Sequence, residues 1–152
     1  MTDQSVGEPV EVKGACLCGN VSYEASLQPG AGACHCAMCR KWAGGLLMAV
    51  HAIGAVDFSG SEHIAVYRSS DWAERGFCKN CGSNLFYHLR PRPSAPNGEY
   101  MLSAGSVSDQ SVLQFDHEVY VDHAPGWYRF ADEAKRKRLT EADVLAMYAP
   151  EV

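Results

Sequence analysis

Gly14-Ala-Cys-Leu-Cys-Gly-Asn-Val-Ser-Tyr-Glu-Ala-Ser-Leu27 joins a pair of closely spaced cysteines to a run of strict alternation. Val21, Tyr23, Ala25 and Leu27 fall on one side of that run, with polar or small residues between them. A two-residue period is the signature of a half-buried β-strand. The same reading extends outward. Val10 to Lys13 suits a short strand before it, and Leu46 to Ile53 is an apolar run whose length fits a buried strand better than a helix. Glu62–Arg68, Asn84–Leu89, Glu99–Ser103 and His117–Val121 read as further strands.

Turn signals separate these segments: Gln28-Pro-Gly-Ala-Gly32, Gly44-Gly45, Ser59-Gly-Ser61, Pro96-Asn-Gly98 and Ala124-Pro-Gly126. Arg90-Pro-Arg-Pro-Ser-Ala-Pro96 reads as a stiff loop. Many short strands at such spacing predict a mainly β protein of antiparallel sheets. One helix is expected near the C-terminus, where Thr140-Glu-Ala-Asp143 offers a capping hydroxyl with an acid three residues on. The basic run Lys135-Arg-Lys-Arg138 before it reads as a solvated face.

The chain has 152 residues, of which 47% are hydrophobic, enough for one domain with its own core. A formal charge of -5 argues against a broad phosphate-binding surface, so nucleic acid is not the expected partner. No apolar run has the length of a membrane helix, and Met1–Glu8 lacks the basic start and apolar stretch of a leader. A cytoplasmic setting is therefore expected, without a membrane partner.

In a reducing compartment, clustered cysteines point to metal or catalysis rather than disulfides. The seven cysteines fall into three groups: Cys16-Leu-Cys18, Cys34-His-Cys-Ala-Met-Cys39 and Cys78-Lys-Asn-Cys81. Two cysteines in a tight turn supply one edge of a zinc tetrahedron, and Gly19 and Gly82 relax the backbone after each pair. Cys16, Cys18, Cys78 and Cys81 together would close a four-thiolate structural site. Cys34, Cys36 and Cys39 remain, and three protein ligands leave a position free, as in catalytic sites. Two zinc ions per chain are expected, with iron a minor alternative by ligand softness.

At these residues the sequence resembles the glutathione-dependent formaldehyde-activating enzyme family, which includes the centromere protein V group. The resemblance runs from Gly14 to Trp127, through Gly14-Ala-Cys-Leu-Cys-Gly19, Cys34-His-Cys-Ala-Met-Cys-Arg-Lys-Trp-Ala-Gly44, Arg75-Gly-Phe-Cys-Lys-Asn-Cys-Gly-Ser83 and Gly105-Ser-Val-Ser-Asp109. It implies a β-tent fold with zinc between antiparallel sheets. It implies structural zinc on Cys16, Cys18, Cys78 and Cys81, and catalytic zinc on Cys34, Cys36 and Cys39. It also implies a carbon–sulfur lyase that joins glutathione to formaldehyde. The expected organisation is a tail over residues 1–10, a zinc-binding domain over 11–130 and a helical extension over 131–152.

The thiol could bind the open zinc and attack a carbonyl, or the zinc could polarise the carbonyl itself. His35 is a candidate acid or base, with a packing or supporting role as the plainer alternative. Arg40 and Lys41 are candidate contacts for a glutathione carboxylate, or an exposed pair. Trp42, Phe77 and Trp127 read as core or metal-shell aromatics. His51, His63, His88, His117 and His123 have no ligand spacing and read as structural. A small thiol substrate is the expected partner, and self-association stays open. The rival readings are a non-catalytic zinc module for protein or nucleic acid, and a redox sensor in which Cys34, Cys36 and Cys39 oxidise.

Overall fold

A computed structural model describes residues 7–148; parts of the expected tail and of the C-terminal extension lie outside that range. Among the described residues nine strands form one continuous sheet. They are β1 (Val10–Ala15), β2 (Ser22–Cys34), β3 (Leu47–Ser59), β4 (Ile64–Arg68), β5 (Ala73–Cys78), β6 (Asn84–Leu89), β7 (Glu99–Ser103), β8 (Gln114–Val119) and β9 (Lys137–Leu139). Helices α1 (Ala37–Ala43) and α2 (Glu141–Tyr148) complete the fold. The path runs β4-β5-β6-β7-β3-β2-β8-β9, with β1 paired to β2. Among the described residues no helix is long and apolar enough to cross a membrane.

The mainly β expectation holds, and the alternation that opened the sequence sits where it was expected: Val21, Tyr23, Ala25 and Leu27 are all buried. They pack with Val12, Val50, Leu85, Phe86, Leu102 and Val107. Full burial of such a side chain contributes about 1.5–3 kcal/mol each.

Four departures have identifiable causes. Gln28–Gly32 is not a turn but lies inside the thirteen-residue β2. The ladder to β3 jumps from Leu27 to Ala31, so Pro29, which has no N–H to donate, sits in a bulge. Residues 30–34 of β2 then pair parallel with β8 on the edge that β1 occupies for residues 22–27. The sheet is thus mostly antiparallel, with parallel pairing at β2–β8 and β8–β9.

Strand β5 was not foreseen, because Glu74 and Arg75 interrupt its apolar pattern. Helix α1 was not foreseen either: it is seven residues long, begins at Cys36 as cap and ends on left-handed Gly44. The basic run is a solvated face only in part: Lys135, Lys137 and Arg138 are exposed, but Arg136 is drawn in. Lys137–Leu139 pairs with β8, and Arg136 and Arg138 both reach Glu118. The capping box of α2 forms as expected, with Thr140 Oγ1 accepting from the Asp143 backbone at 3.2 Å and Asp143 Oδ2 accepting from the Thr140 backbone at 2.9 Å.

Candidate metal centres

The first centre is built by two knuckles at the ends of β1 and β5. Cys16 follows β1 directly and Cys78 is the last residue of β5. The Cys16–Cys18 and Cys18–Cys78 sulfurs are 3.6 and 3.8 Å apart. A zinc tetrahedron with bonds of about 2.3 Å has edges of about 3.8 Å, so the spacing suits that ion. All four sulfurs, Cys81 included, lie within 4.8 Å of one another.

The backbone is shaped for this. Gly19 and Gly82 both take left-handed φ values, +84° and +79°, which a side chain resists. The Val21 amide donates to Cys16 Sγ at 3.3 Å. Ser83 Oγ accepts from the Leu17 amide at 2.9 Å and lies 3.2 Å from Cys81 Sγ, tying the knuckles together. The hydrogen bond from the Ser83 hydroxyl, with its backbone amide, brings Cys81 down to about 5. A thiolate is the form that coordinates metal.

The second centre gathers Cys34, at the end of β2, with Cys36 and Cys39 around the start of α1. Their sulfurs also lie within 4.8 Å of one another. Among the described residues no fourth cysteine, histidine or carboxylate joins them. Hydrogen bonds from Cys34 and Cys39 push Cys36 down to about 2, assisted by the Cys39 amide and Arg75. The same sharing holds the Cys34 thiol well above its ordinary range. One anionic sulfur is thus favoured even among three crowded thiols, and the donor set fits a soft divalent ion.

Arg75 is the neighbour that sequence reasoning did not identify. It comes from β5, is only 2% exposed, and holds Nη1 3.5 Å from Cys39 Sγ. Its guanidinium lies 5.2 Å from the Trp42 ring centre and 4.9 Å from that of Tyr87, with Nε donating to Ser69 Oγ at 3.1 Å. Burial raises Tyr87 well above the ordinary phenol range. Burial, with the charge of Cys36 and Cys34, pushes Tyr120 up to about 12, so it stays a neutral hydroxyl near the cluster. Tyr120 also carries a left-handed φ of 56°, and such strain in a non-glycine residue gathers at functional sites.

His35 is buried between its two cysteine neighbours. Nε2 bonds Glu118 at 2.9 Å and Nδ1 bonds the Tyr128 hydroxyl at 2.8 Å. Its backbone amide donates to Val119 of β8 at 3.1 Å, and its carbonyl accepts from Arg40 Nε at 2.9 Å. Both ring nitrogens are engaged away from the sulfurs, which is the geometry of a support for the loop. Glu118, itself 2% exposed, also accepts from Arg136 and Arg138. Burial opposes its charge, but the bonds from His35 and Arg136 and the two guanidinium charges outweigh this and lower its pKa.

Arg40 is partly occupied by the loop carbonyl, while Lys41 is exposed. Trp42 and Phe77 are half-buried, as a metal-shell role would need. Trp127 is 75% exposed, so it is not a core aromatic. The structure brings His123 together with Asp122 and Glu141. That group already has a structural role: Asp122 caps the Glu141 amide and His123 bonds the Glu141 carboxylate.

Two cysteine clusters held by one nine-stranded sheet define a mainly β protein with two candidate metal centres. The family model for the glutathione-dependent formaldehyde-activating enzyme matches residues 11–123, and the chain belongs to that family. A Schizosaccharomyces pombe protein named an uncharacterized lyase is 33% identical over 126 residues, covering 81% of this chain and 88% of that protein. A Halomonas elongata protein is 34% identical over 85 residues, covering 49% of this chain and 54% of its own. It carries the provisional name of a glutathione-dependent formaldehyde-activating enzyme.

Proposed function

We propose that the chain is a two-zinc carbon–sulfur lyase acting on the adduct of a glutathione-like thiol with a small carbonyl compound such as formaldehyde. The observation that carries this is the three-sulfur cluster of Cys34, Cys36 and Cys39, short of a fourth protein ligand among the described residues. A zinc ion held there would supply Lewis acidity, lowering the pKa of a thiol or polarising a carbonyl. The remaining work falls to the chain. Cys16, Cys18, Cys78 and Cys81 clip the knuckles shut. His35, held by Glu118 and Tyr128, fixes the direction of the open loop. Arg40 and Lys41, in the last turn of α1, are cations available to a substrate carboxylate. A cytoplasmic setting, where thiols stay reduced, suits this chemistry.

The forward reaction balances simply: the thiol sulfur bonds the formaldehyde carbon, and the thiol proton ends on the new hydroxyl. It is followed by NMR with isotopically labelled formaldehyde and glutathione. Zinc-loaded protein should accelerate formation of the hydroxymethyl thioether, and Cys36→Ser should abolish that acceleration. No acceleration by protein carrying two zinc ions refutes the assignment and favours a non-catalytic zinc module.

A further inference from the structure

A buried arginine needs a counter-charge, because an isolated ion inside a protein is strongly disfavoured. Arg75 is 2% exposed, and among the described residues no carboxylate pairs with it. Its neighbours are a serine hydroxyl, two aromatic rings and the sulfur of Cys39. The rings fix the plane of the guanidinium and favour a cation there. The nearest source of negative charge is therefore the three-cysteine cluster.

The two centres differ in this respect. A divalent ion with four thiolates carries a net charge of about -2, and with three about -1, by ligand charge alone. The four-cysteine centre meets solvent, since Cys18 is exposed. At the three-cysteine centre Cys39 is buried and Arg75 brings the sum to neutral. An anionic fourth ligand then lowers the charge there only to that of an ordinary trithiolate site. Without Arg75 the same ligand would have to enter a half-buried centre that is already negative.

We infer that Arg75 is a positioning residue that sets the charge of the three-cysteine centre, so that its free position prefers a thiolate over a neutral ligand. This rests on the reading that the cluster holds a divalent metal. The thiol proton leaves to solvent as the sulfur binds, and no oxidation occurs. Arg75 acts through the field at Cys39 and the incoming sulfur, not by touching a carbonyl. A unit charge about 5–6 Å away in an effective dielectric of about 20 changes affinity about a hundredfold.

The test uses full-length protein loaded with cobalt, whose sulfur charge-transfer absorption reports each added thiolate. Wild type, Arg75→Met and Arg75→Lys are titrated with 2-mercaptoethanol and, separately, with imidazole as a neutral ligand. Arg75→Met should bind the thiol about a hundredfold more weakly while imidazole binding changes less than about threefold. Arg75→Lys should recover thiol binding to within about tenfold, because it restores charge but not the stacked plane. Equal thiol affinity in wild type and Arg75→Met overturns the inference. So does an equal loss for thiol and imidazole, which is what mere misfolding of the loop would produce. If Arg75→Met fails to hold the second cobalt, Arg75→Lys decides: thiol preference within tenfold of wild type supports the inference, and its loss refutes it. Wild type that holds one cobalt only, with the second cluster silent, overturns the metal reading itself and the inference with it.

Discussion

Replacing Glu118 by glutamine removes the charge on which three donors converge without removing the side chain's bulk. In the wild type, Oε1 accepts from His35 at 2.9 Å, and Oε2 accepts from Arg136 at 3.1 Å and from Arg138 at 3.3 Å. The carboxylate is 2% exposed and the Arg136 side chain 9%, so that pair is little screened. Arg138 is 35% exposed and counts for well under 1 kcal/mol. A glutamine can still accept from His35, but its amide then points N–H groups at two arginines. Breaking one buried charged pair costs about 3–5 kcal/mol, and the retained His35 bond places this case near 3. For a chain of this size that is a fall of roughly 6–12 °C in Tm.

Thermal unfolding followed by circular dichroism at matched zinc concentration measures it, since bound metal shifts apparent stability by mass action. The sign with pH is fixed. A carboxyl whose folded pKa is lowered stabilises fully above its unfolded value of about 4.3, and loses that contribution as pH falls through the lower folded value. The gap between wild type and Glu118→Gln should therefore be widest near about pH 7 and narrow below about pH 4. A variant that melts within about 1 °C of wild type at neutral pH refutes the claim that this cluster anchors the open loop.

Metal analysis separates the two centres: Cys36→Ser should lose one of two zinc ions and keep its circular dichroism, whereas Cys81→Ser should impair folding. Identical behaviour of the two variants would falsify the division into closed and open sites. Leu102→Ala, at a residue with no exposed surface in the core, should cost about 2–5 kcal/mol in denaturant unfolding. A loss below about 1 kcal/mol would mean that the β3–β7–β6 layer is not the packed centre of the molecule.

Much of this architecture was legible in the chain because its signals are local. The alternation of Val21, Tyr23, Ala25 and Leu27 needs only neighbours, and so do the cysteine spacings and the Thr140–Asp143 box. What was hidden depends on partners far along the sequence. Arg75 and Glu118 are charged residues, which are mostly exposed unless paired. Their burial makes sense only once Cys39 stands beside the first, and His35, Arg136 and Arg138 surround the second. The stretch at Gln28–Gly32 carried a sound turn composition. The bulge in β2 accommodates that composition without reversing the chain, because β8 arrives to pair with residues 30–34.

That late arrival also orders events as the protein leaves the ribosome. All four sulfurs of the closed centre, and the serine that ties them, have been synthesised once residue 83 is added. The loop bearing the open centre hangs from the Val119 carbonyl through His35, and that rail does not yet exist. At ordinary elongation speeds the interval is roughly 2–7 s. On the proposed two-metal reading, a nascent chain then carries the complete four-cysteine set while the Cys34–Cys39 loop still lacks its Val119 support, so the structural position would fill first and the reactive one last.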